Sequence, residues 1–327
     1  MLRSDINVST ALVRHYKPGT AFQTAQCYNG VMPTPLSRKV TIGDLRAARK
    51  GGDKLPMLTC YDYSTARLMQ EAGVSMLLVG DSAANVILGH PTTLPVPLNF
   101  MIEITAAVRR GAPLALVVAD MPFGSYQGSV ARGTRNVFRM VQHTGCDAVK
   151  VEAAESQVPL IRELADAGVA VIAHMGLRPQ SVALLGYRYQ GRTAAEAQQI
   201  VELARKFQAA GAAALLLEAV PAEVGLAVVE ATDIPVIGCG AGPHCHGSVI
   251  VTHDAVGLSP GPHRPRFVPT LGDLATPAVQ CFAEYADAVR TGRYPAPEHQ
   301  YEMAEGERQK LLRGRVSPGP RPAAHVP

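Results

Sequence analysis

The chain has few aromatic residues, little excess charge and no long apolar run, and so lacks features that mark nucleic-acid-binding or membrane proteins. Its 327 residues include no tryptophan, six cysteines and only 5% aromatic residues. Basic and acidic residues nearly balance, 31 against 27, and no basic tract carries interleaved aromatics, which argues against nucleic-acid binding. No run of about 18 apolar residues occurs, so no membrane span is predicted. Hydrophobic residues nevertheless reach 47%, which excludes global disorder and allows a large core.

The cysteines and the N-terminus favour a cytoplasmic location. The cysteines are scattered through a chain long enough to build its own core, so we expect no disulfide framework. The N-terminus lacks the apolar segment of a secretory signal. Residues 1–28 carry three basic residues and one acid, a faint likeness to a transit peptide. Their amphipathic periodicity is poor, so a simple extension is the favoured interpretation.

Composition predicts one folded body between two extensions. Residues 1–39, which end in a segment rich in glycine and proline, are interpreted as a flexible N-terminal extension. Thr41 is placed to cap the first helix, IGDLRAARK. Residues 303–327 are rich in proline and are expected to be a disordered tail. No linker interrupts residues 40–302, and about 260 residues is typical of a single (β/α)8 barrel.

Alternating apolar runs and helical stretches predict a TIM barrel. Three of the helical stretches end in glycine, a common helix stop. Strands that alternate with helices imply parallel pairing, and eight of them favour closure. An open doubly wound sheet is the alternative, although no GxGxxG turn follows the first run. The eight runs are PMLTCY (56–61), SMLLVG (75–80), LALVVAD (114–120), AVKVEA (148–153), VAVIAHMG (169–176), AAALLLEAV (212–220), PVIGCGAG (235–242) and AVGLSP (255–260).

Polar residues gather at the C-terminal ends of these runs. In a barrel such ends meet at one mouth, where active sites form. Lys150 and Glu152 are two apart on a strand and therefore share a face. Each residue alone could be a helix cap, a structural ion pair or a hydrogen-bonded core histidine. Several at equivalent positions predict a functional mouth. The residues are Asp81, Asp120, Lys150, Glu152, His174 and Glu218.

The residue types at the mouth predict metal-assisted enolate chemistry. Asp81, Asp120 and Glu152 offer hard oxygen ligands, which favour Mg²⁺, or less so Mn²⁺, over Zn²⁺. A 2-oxo acid could chelate such an ion, which would act as a Lewis acid and stabilise an enolate. Lys150 would neutralise substrate charge, and Glu218 would be free to act as a general base.

A second polar cluster follows the seventh run, in GCGAGPHCHGSVIVTHD. It contains no CxxC pair, and its spacing matches no regular zinc pattern, so a zinc site is the weaker interpretation. Its glycines are better explained by close approach of the backbone to a ligand or a helix. The residues in question are Cys239, His244, Cys245, His246 and His253.

Several stretches together resemble the ketopantoate hydroxymethyltransferase family. The resemblance extends from about residue 40 to residue 300, and no generic barrel would produce these stretches in this order. They are TCYDYSTARL (59–68), LLVGDS (77–82), GH with TLPV (89–96), TAAVRRGAP (105–113), VVADMPF (117–123), AVKVEA (148–153), HMGLRPQSV (174–182), YQGR (189–192), LLLEAVP (215–221), IPVIGCGAG (234–242) and HDAVGL (253–258).

The resemblance implies a fold, a reaction and roles for residues. It implies a barrel like that of phosphoenolpyruvate mutase and isocitrate lyase, usually assembled as a homodecamer. It implies transfer of a hydroxymethyl group from 5,10-methylenetetrahydrofolate to 3-methyl-2-oxobutanoate, towards pantothenate and coenzyme A. The implied partners are these small molecules and Mg²⁺, with no nucleic acid and no membrane. The implied roles are as follows: metal ligands Asp81, Asp120 and Glu152; keto-acid contacts Asp81, Ser82, Asp120, Lys150 and His174; general base Glu218.

The sequence departs from the family pattern at three places. Glu103 and Ile104 replace a Tyr-His pair, residues 245–248 replace a TDGQ-like stretch, and Pro260-Gly261 replaces a Gly-Gly pair. We expect these positions to lie in loops that shape the folate side or a subunit contact. Two other functions stay open: a divergent aldolase or lyase with the same enolate chemistry, and a non-catalytic paralogue. Retention of the three carboxylates, Lys150 and Glu218 argues against the paralogue.

Overall fold

Eight parallel strands close into a barrel in this computed structural model, which describes residues 32–259 and 264–313. Each strand pairs with the next along the chain, and the last pairs with the first. The (β/α)8 prediction is therefore confirmed, and the open doubly wound sheet is excluded. The strands are β1 (Leu55–Thr59), β2 (Met76–Val79), β3 (Leu116–Asp120), β4 (Ala148–Glu152), β5 (Val171–Gly176), β6 (Ala214–Glu218), β7 (Val236–Cys239) and β8 (Gly247–Ile250).

The predicted eighth strand was wrong. The sequence predicted it at residues 255–260, but the strand that closes the barrel is β8, which pairs with residues 55–58 of β1. Thr252–Ala255 forms a short helix instead. Only four residues long, β8 has an exposed serine at its second position and offers a weak apolar pattern. Gly247 is needed at this seam because a Cβ there would lie 2.6 Å from the Leu55 carbonyl oxygen.

Two of the three departures from the family pattern do not lie in loops as expected. Glu103 and Ile104 lie within a 14-residue helix, Leu98–Gly111. Gly247 and Ser248 are the first two residues of β8. The third departure, Pro260-Gly261, falls outside the described residues.

The helices between the strands follow the predicted pattern closely. Thr41 caps the first helix in a capping box with Asp44, as expected. Gly145 ends a later helix in the left-handed conformation, with φ 63°. The helices of the described residues are α1 (Ile42–Arg49), α2 (Tyr63–Glu71), α3 (Ala83–Val86), α4 (Leu98–Gly111), α5 (Val130–Thr144), α6 (Val158–Asp166), α7 (Val182–Leu185), α8 (Ala194–Ala209), α9 (Ala222–Ala231), α10 (Thr252–Ala255), α11 (Ala275–Arg290) and α12 (Glu307–Arg313).

The described chain divides into two compact units. One runs to Thr252 and also includes Pro265–Val268, so it contains all eight strands; the other comprises the remaining described residues and contains α11 and α12. The predicted body at 40–302 stays a prediction. Of the predicted N-terminal extension, only 32–39 is described. In the predicted tail α12 is helical, which differs from the expected disorder, and 314–327 lie outside the described residues.

No helix in the described part of the chain has both the length and the apolar character that a membrane crossing needs.

Two apolar layers occupy opposite faces of the strands. Outward residues pack against the surrounding helices, and inward residues fill the barrel together with Val40 and with Leu45 of α1. Residues two apart on a strand share a face, so the polar residues two positions after the last inward apolar residue also point into the barrel. The inward strand residues are Met57, Met76, Leu78, Leu116, Val118, Ala148, Ile172, Ala214, Leu216, Ile237 and Val249.

A glycine at the contact of α2 and α4 provides a test of this packing. A Cβ at Gly111 would collide with the Tyr63 carbonyl oxygen and lie 2.9 Å from the Ala66 methyl group. We expect Gly111→Ala to lower the free energy of unfolding by about 1–3 kcal/mol through overpacking. Chemical denaturation at fixed protein concentration measures this. Gly128→Ala is the matched control, because the nearest atom to its Cβ would be 3.6 Å away. Equal stability of the two variants would contradict the packing described.

Candidate active site

A polar layer lies directly above the apolar filling of the barrel. The strand register places Asp120 beside Lys150, and Glu152 beside His174. Farther round the barrel, Glu218 of β6 lies beside Cys239 of β7. Four of these positions follow an inward apolar residue at a spacing of two, as the alternation of a strand requires. The predicted mouth thus assembles from neighbouring strands. The four pairs are Val118 with Asp120, Ala148 with Lys150, Ile172 with His174 and Leu216 with Glu218.

Lys150 and Asp120 form a buried ion pair at the centre of this layer. Lys150 Nζ donates to Asp120 Oδ2 at 2.6 Å, and the Asp81 backbone N–H donates to the same oxygen at 3.1 Å. Burial raises the pKa of Asp120 to about 7, although Lys150 lowers it. Burial alone would lower the pKa of Lys150, but Asp120, Asp81 and Glu152 outweigh it and raise the pKa above its usual value. Lys150 therefore remains a cation.

Ser82 lies in the turn after β2, next to Asp81. Its Oγ is 2.8 Å from the Tyr61 hydroxyl, so Tyr61 holds the serine side chain in place. The predicted substrate contact Ser82 is thus beside the carboxylates. Tyr61 itself is 4% exposed and escaped the sequence analysis, which searched for charged residues.

His174 lies between two carboxylates without a well-aligned hydrogen bond to either. Its Nε2 is 3.1 Å from Glu218 Oε2, and its Nδ1 is 3.8 Å from Glu152 Oε1. Both ring nitrogens are buried and lack a partner with good geometry. Burial, reinforced by the nearby Lys150 cation, lowers the pKa of His174 well below its usual value. His174 is therefore neutral and can donate one hydrogen bond and accept another.

Glu218 is the most accessible carboxylate of the layer. Its side chain is 18% exposed, against 2% for Glu152 and 1% for Asp120. Burial raises the pKa of Glu218 to about 7, with Lys150 acting in the opposite direction. Burial also raises the pKa of Glu152, to about 9. A carboxyl that titrates near neutrality and can be reached from solvent has the properties of a general base.

A close approach of two backbones fixes the position of Glu218. Gly176 of β5 pairs with Glu218 and has φ 92°, and a Cβ there would collide with the Glu218 carbonyl oxygen. The same carbonyl accepts a hydrogen bond from Leu177 N–H at 2.9 Å. The next residue, Ala219, has φ 47°, so the chain turns sharply after Glu218. Only glycine at position 176 permits this approach without strain.

Gln180 is a buried residue of the site that the sequence analysis missed. Its backbone N–H donates to both oxygens of Glu152, at 3.3 and 3.0 Å, and its side-chain amide donates to Asp81 Oδ2 at 2.9 Å. Tyr126 Oη donates to Gln180 Oε1 at 2.8 Å. An uncharged glutamine in a loop gives no charge signal, although it lies in the stretch HMGLRPQSV that carried the family resemblance.

Tyr187 was missed as well. The Tyr187 hydroxyl has its pKa raised by partial burial and by Asp81, Glu152 and Glu218. The side chain is 64% exposed, so it lies at the solvent side of the mouth.

The carboxylates supply suitable donors for a divalent cation. Asp120 Oδ1 is buried and has no hydrogen-bond partner, and its neighbours Asp81 and Glu152 add hard oxygens. As the side chains lie, however, no group of three or more His, Cys, Asp or Glu residues in the described ranges is arranged closely enough to hold a metal ion. Asp81 and Glu152 bond to Gln180, and Asp120 bonds to Lys150. The donor set fits Mg²⁺: Asp120 Oδ1 has no partner, and Asp81 bonds to Gln180 through Oδ2 alone. Glu152 would keep one oxygen on the Gln180 N–H while its other oxygen turns towards the ion.

Two members of the cluster after β7, Cys245 and His246, make structural contacts. Cys245 is 2% exposed and packs against Gly238, where a Cβ would lie 3.0 Å from its Sγ. His246 Nδ1 accepts a hydrogen bond from Val236 N–H at 3.0 Å. These contacts support the interpretation of the glycines as positions of close approach.

The fold and the polar mouth define a (β/α)8-barrel enzyme, and solved structures with a similar fold include 2,3-dimethylmalate lyase, a member of the phosphoenolpyruvate mutase/isocitrate lyase superfamily. Phosphoenolpyruvate phosphomutase from Streptomyces platensis aligns with TM-score 0.53 at 15% identity, covering 84% of this chain and 96% of that chain. A phosphonopyruvate hydrolase in complex with oxalate and Mg²⁺ aligns with TM-score 0.51 at 17% identity, covering 84% and 99%. At these identities the likeness shows the fold.

Sequence comparison identifies the family. The family model described as ketopantoate hydroxymethyltransferase matches residues 39–297. The 3-methyl-2-oxobutanoate hydroxymethyltransferase of Moorella thermoacetica is 44% identical over 264 residues, which cover 80% of this chain and 98% of that protein. The chain belongs to the ketopantoate hydroxymethyltransferase family, as the resemblance in its motifs predicted.

The raised pKa values predict how stability depends on pH in the absence of metal. Glu152, Asp120 and Glu218 hold their protons more tightly in the folded chain than in the unfolded chain. Their contribution to stability is therefore complete at low pH and is lost as pH rises through about 7 to 9. His174 acts in the opposite direction, but only below about pH 6.5, the usual pKa of histidine.

We expect protein stripped of metal with EDTA to lose stability between pH 7 and pH 8. A group protonated only in the folded state contributes a slope of about 1.4 kcal/mol per pH unit. Glu152→Gln should flatten the slope, as measured by denaturation at several pH values. The exposed Glu230→Gln on α9 is the control and should leave the slope unchanged. A wild-type stability that rises over this range would contradict the assigned directions.

Proposed function

We propose that this chain transfers a hydroxymethyl group from 5,10-methylenetetrahydrofolate to 3-methyl-2-oxobutanoate and so makes 2-dehydropantoate for pantothenate and coenzyme A synthesis. One observation carries the chemistry: a partly exposed glutamate with a pKa of about 7, Glu218, lies at the same mouth as the Lys150 cation and three further carboxyls. Relatives 43–45% identical that are named for this reaction support the substrate.

The keto acid binds beside Lys150 in this proposal. The Lys150 ammonium attracts the substrate carboxylate, Ser82 offers a hydroxyl, and neutral His174 offers a ring N–H. Asp81, Asp120 and Glu152 would hold Mg²⁺, which when bound would polarise the carboxylate and keto oxygen of the substrate. The fold relative complexed with oxalate and Mg²⁺ supports a two-oxygen ligand of this kind.

Glu218 removes the proton from C3 of the keto acid. Its accessible position brings it to a substrate, and its pKa near 7 makes it a stronger base than an ordinary glutamate while leaving much of it ionised at neutral pH. The electron pair left at C3 forms the new bond to the methylene carbon of the folate. Both bonds that join this carbon to the folate nitrogens break, and water supplies the hydroxyl group. The second proton of the water and the proton taken up by Glu218 go to the two nitrogens, and tetrahydrofolate leaves.

The assembly and the location are part of the same proposal. The chain works in the cytoplasm as a homo-oligomer, a decamer by family resemblance, with small molecules as its partners and neither nucleic acid nor membrane. Helix α11 supports oligomerisation, since it has no buried residue and exposes large apolar side chains. Val279 is 63% exposed, Phe282 71% and Tyr285 60%.

Deuterium exchange at C3 tests the half-reaction. In D₂O with Mg²⁺ and without folate, wild type should exchange the C3 proton of 3-methyl-2-oxobutanoate. Glu218→Gln should slow exchange by at least about 100-fold, the usual contribution of a general base. Omission of Mg²⁺ and the variant Glu230→Gln are the controls. Adding methylenetetrahydrofolate then tests the donor. Exchange followed by product formation only with formaldehyde would favour an aldolase, and no exchange under any metal would overturn the proposal.

The pH dependence of that exchange tests the state of Glu218. The base acts as a carboxylate, so the exchange rate should rise with pH and level off above about 7. An ordinary glutamate, with a pKa near 4.3, would already give a level profile above about pH 5.5. Initial exchange rates between pH 5 and pH 8.5, with saturating Mg²⁺ and substrate, distinguish the two. A profile that is level from pH 5.5 would show that the base of the Mg²⁺-loaded enzyme does not have a raised pKa.

A further inference from the structure

Gln180 connects the ends of four strands through one buried side chain and one backbone N–H. It follows Pro179 in the short turn Pro179–Ser181 after β5, where the first N–H groups have no partner within the turn itself. It is 6% exposed, which is unusual for glutamine. Its partners lie after β2 (Asp81), after β3 (Met121) and at the end of β4 (Glu152).

The chemistry of these partners fixes the orientation of the amide. Nε2 donates to Asp81 Oδ2 at 2.9 Å and to the Met121 carbonyl at 3.1 Å. Both partners are acceptors, so only the NH₂ group can face them. Oε1 in turn accepts from Tyr126 Oη at 2.8 Å and from Gln127 Nε2 at 2.9 Å. All four hydrogen-bonding positions of the amide are used, and a flipped amide would lose the bonds to Asp81, Met121 and Gln127.

Gln180 bonds to particular oxygens of the carboxylates and leaves others available. Gln180 engages Asp81 through Oδ2 alone, so the other oxygen remains available, and its backbone N–H spans both oxygens of Glu152. Asp120 beside them keeps one buried oxygen with no partner. Gln180 thus restrains two of the three carboxylates assigned to Mg²⁺ and does not touch the third.

We propose that Gln180 is a positioning residue for the divalent cation: its amide and its backbone N–H orient Asp81 and Glu152, and Tyr126 fixes the amide. The inference rests on the proposed function, because it takes the same three carboxylates as the metal ligands. Gln180 acts through Asp81 and Glu152, and it contributes no ligand and touches no reacting atom. Partners of this kind that hold metal ligands usually change metal affinity or activity by about 10–100-fold when removed.

The test measures metal binding directly, without substrate and without turnover. Wild-type protein, stripped of metal and titrated with Mn²⁺ by electron paramagnetic resonance, should bind one ion per chain. Gln180→Met keeps the shape and the backbone N–H but removes the amide, and it should raise the Kd for Mn²⁺ by about 10-fold or more. Tyr126→Phe leaves Gln180 in place and should cause a smaller rise. Gln190→Met is the matched control, because its amide bonds only to the Arg188 carbonyl, and its Kd should match wild type.

Two further measurements separate positioning from a merely structural role. Tyr126 Oη also lies 3.1 Å from the Glu152 carbonyl oxygen. If Tyr126 acts through the amide, the double variant Tyr126→Phe/Gln180→Met should bind no more weakly than Gln180→Met, whereas weaker binding would show that Tyr126 acts on Glu152 directly. In the exchange assay, Gln180→Met should need more Mg²⁺ for half-maximal rate and should recover at saturating Mg²⁺. A structural defect would instead lower the rate at every Mg²⁺ concentration. Tyr126→Phe carries the test if Gln180→Met does not fold.

The outcomes distinguish this inference from the function on which it rests. Wild-type protein that binds no Mn²⁺ would overturn the metal site and Gln180's role together. Wild-type binding with an unchanged Kd in both Gln180→Met and Tyr126→Phe would overturn the positioning role alone. An equal loss of affinity in Gln190→Met would also overturn it, because the effect would then not depend on the contacts to Asp81 and Glu152.

Discussion

Four carboxyl groups held together out of water are the constraint on which the mouth of this barrel depends. Asp81, Asp120 and Glu152 are at most 5% exposed, and the side chain of Glu218, the most accessible of the four, is 18% exposed. Buried like charges raise one another's free energy, and they remain ionised only when a cation or strong hydrogen bonds compensate. Lys150 supplies one positive charge, which is too little for four carboxylates. Burial raises the pKa values of Asp120, Glu152 and Glu218, and neighbouring carboxylates raise those of Asp120 and Glu152 further.

The deficit explains why a divalent cation suits this arrangement. The interior below is filled with the apolar side chains of Met, Leu, Val, Ile and Ala residues. Hydrogen bonds from the turn after β5 orient two of the carboxylates instead. The side chain of Gln180 bonds to Asp81, and its backbone N–H bonds to Glu152. An amide whose hydrogen bonds are all made is held rigidly. An amide with an unpaired buried group would raise the free energy of a site that already buries several charged groups. Tyr126 and Gln127 therefore belong to the site although neither is charged.

The sequence was sufficient for most of the fold and for the charged part of the site. Seven strands have strong apolar runs, and the alternation that buries Val118 and Ile172 also directs Asp120 and His174 inward. The eighth strand escaped because β8 is short, carries an exposed serine and begins with a glycine required by the seam with β1. Gln180, Tyr126 and Tyr61 escaped for a different reason. Their roles depend on partners 21 to 99 residues away in the chain, and a hydrogen bond between residues so far apart leaves no local pattern.

His174 lies between Glu218, the proposed base, and Glu152, one of the carboxylates assigned to the metal. Its low pKa keeps it neutral. A charged histidine would pair with both neighbours and lower their pKa values, which would deprive Glu218 of its basicity. A neutral ring instead separates the base from the carboxylates assigned to the metal and adds no charge. After burial, the Lys150 cation is the largest cause of the low pKa of His174. The ion pair at the centre of the mouth therefore helps to keep the histidine neutral, and the neutral histidine allows Glu218 to retain its pKa near 7.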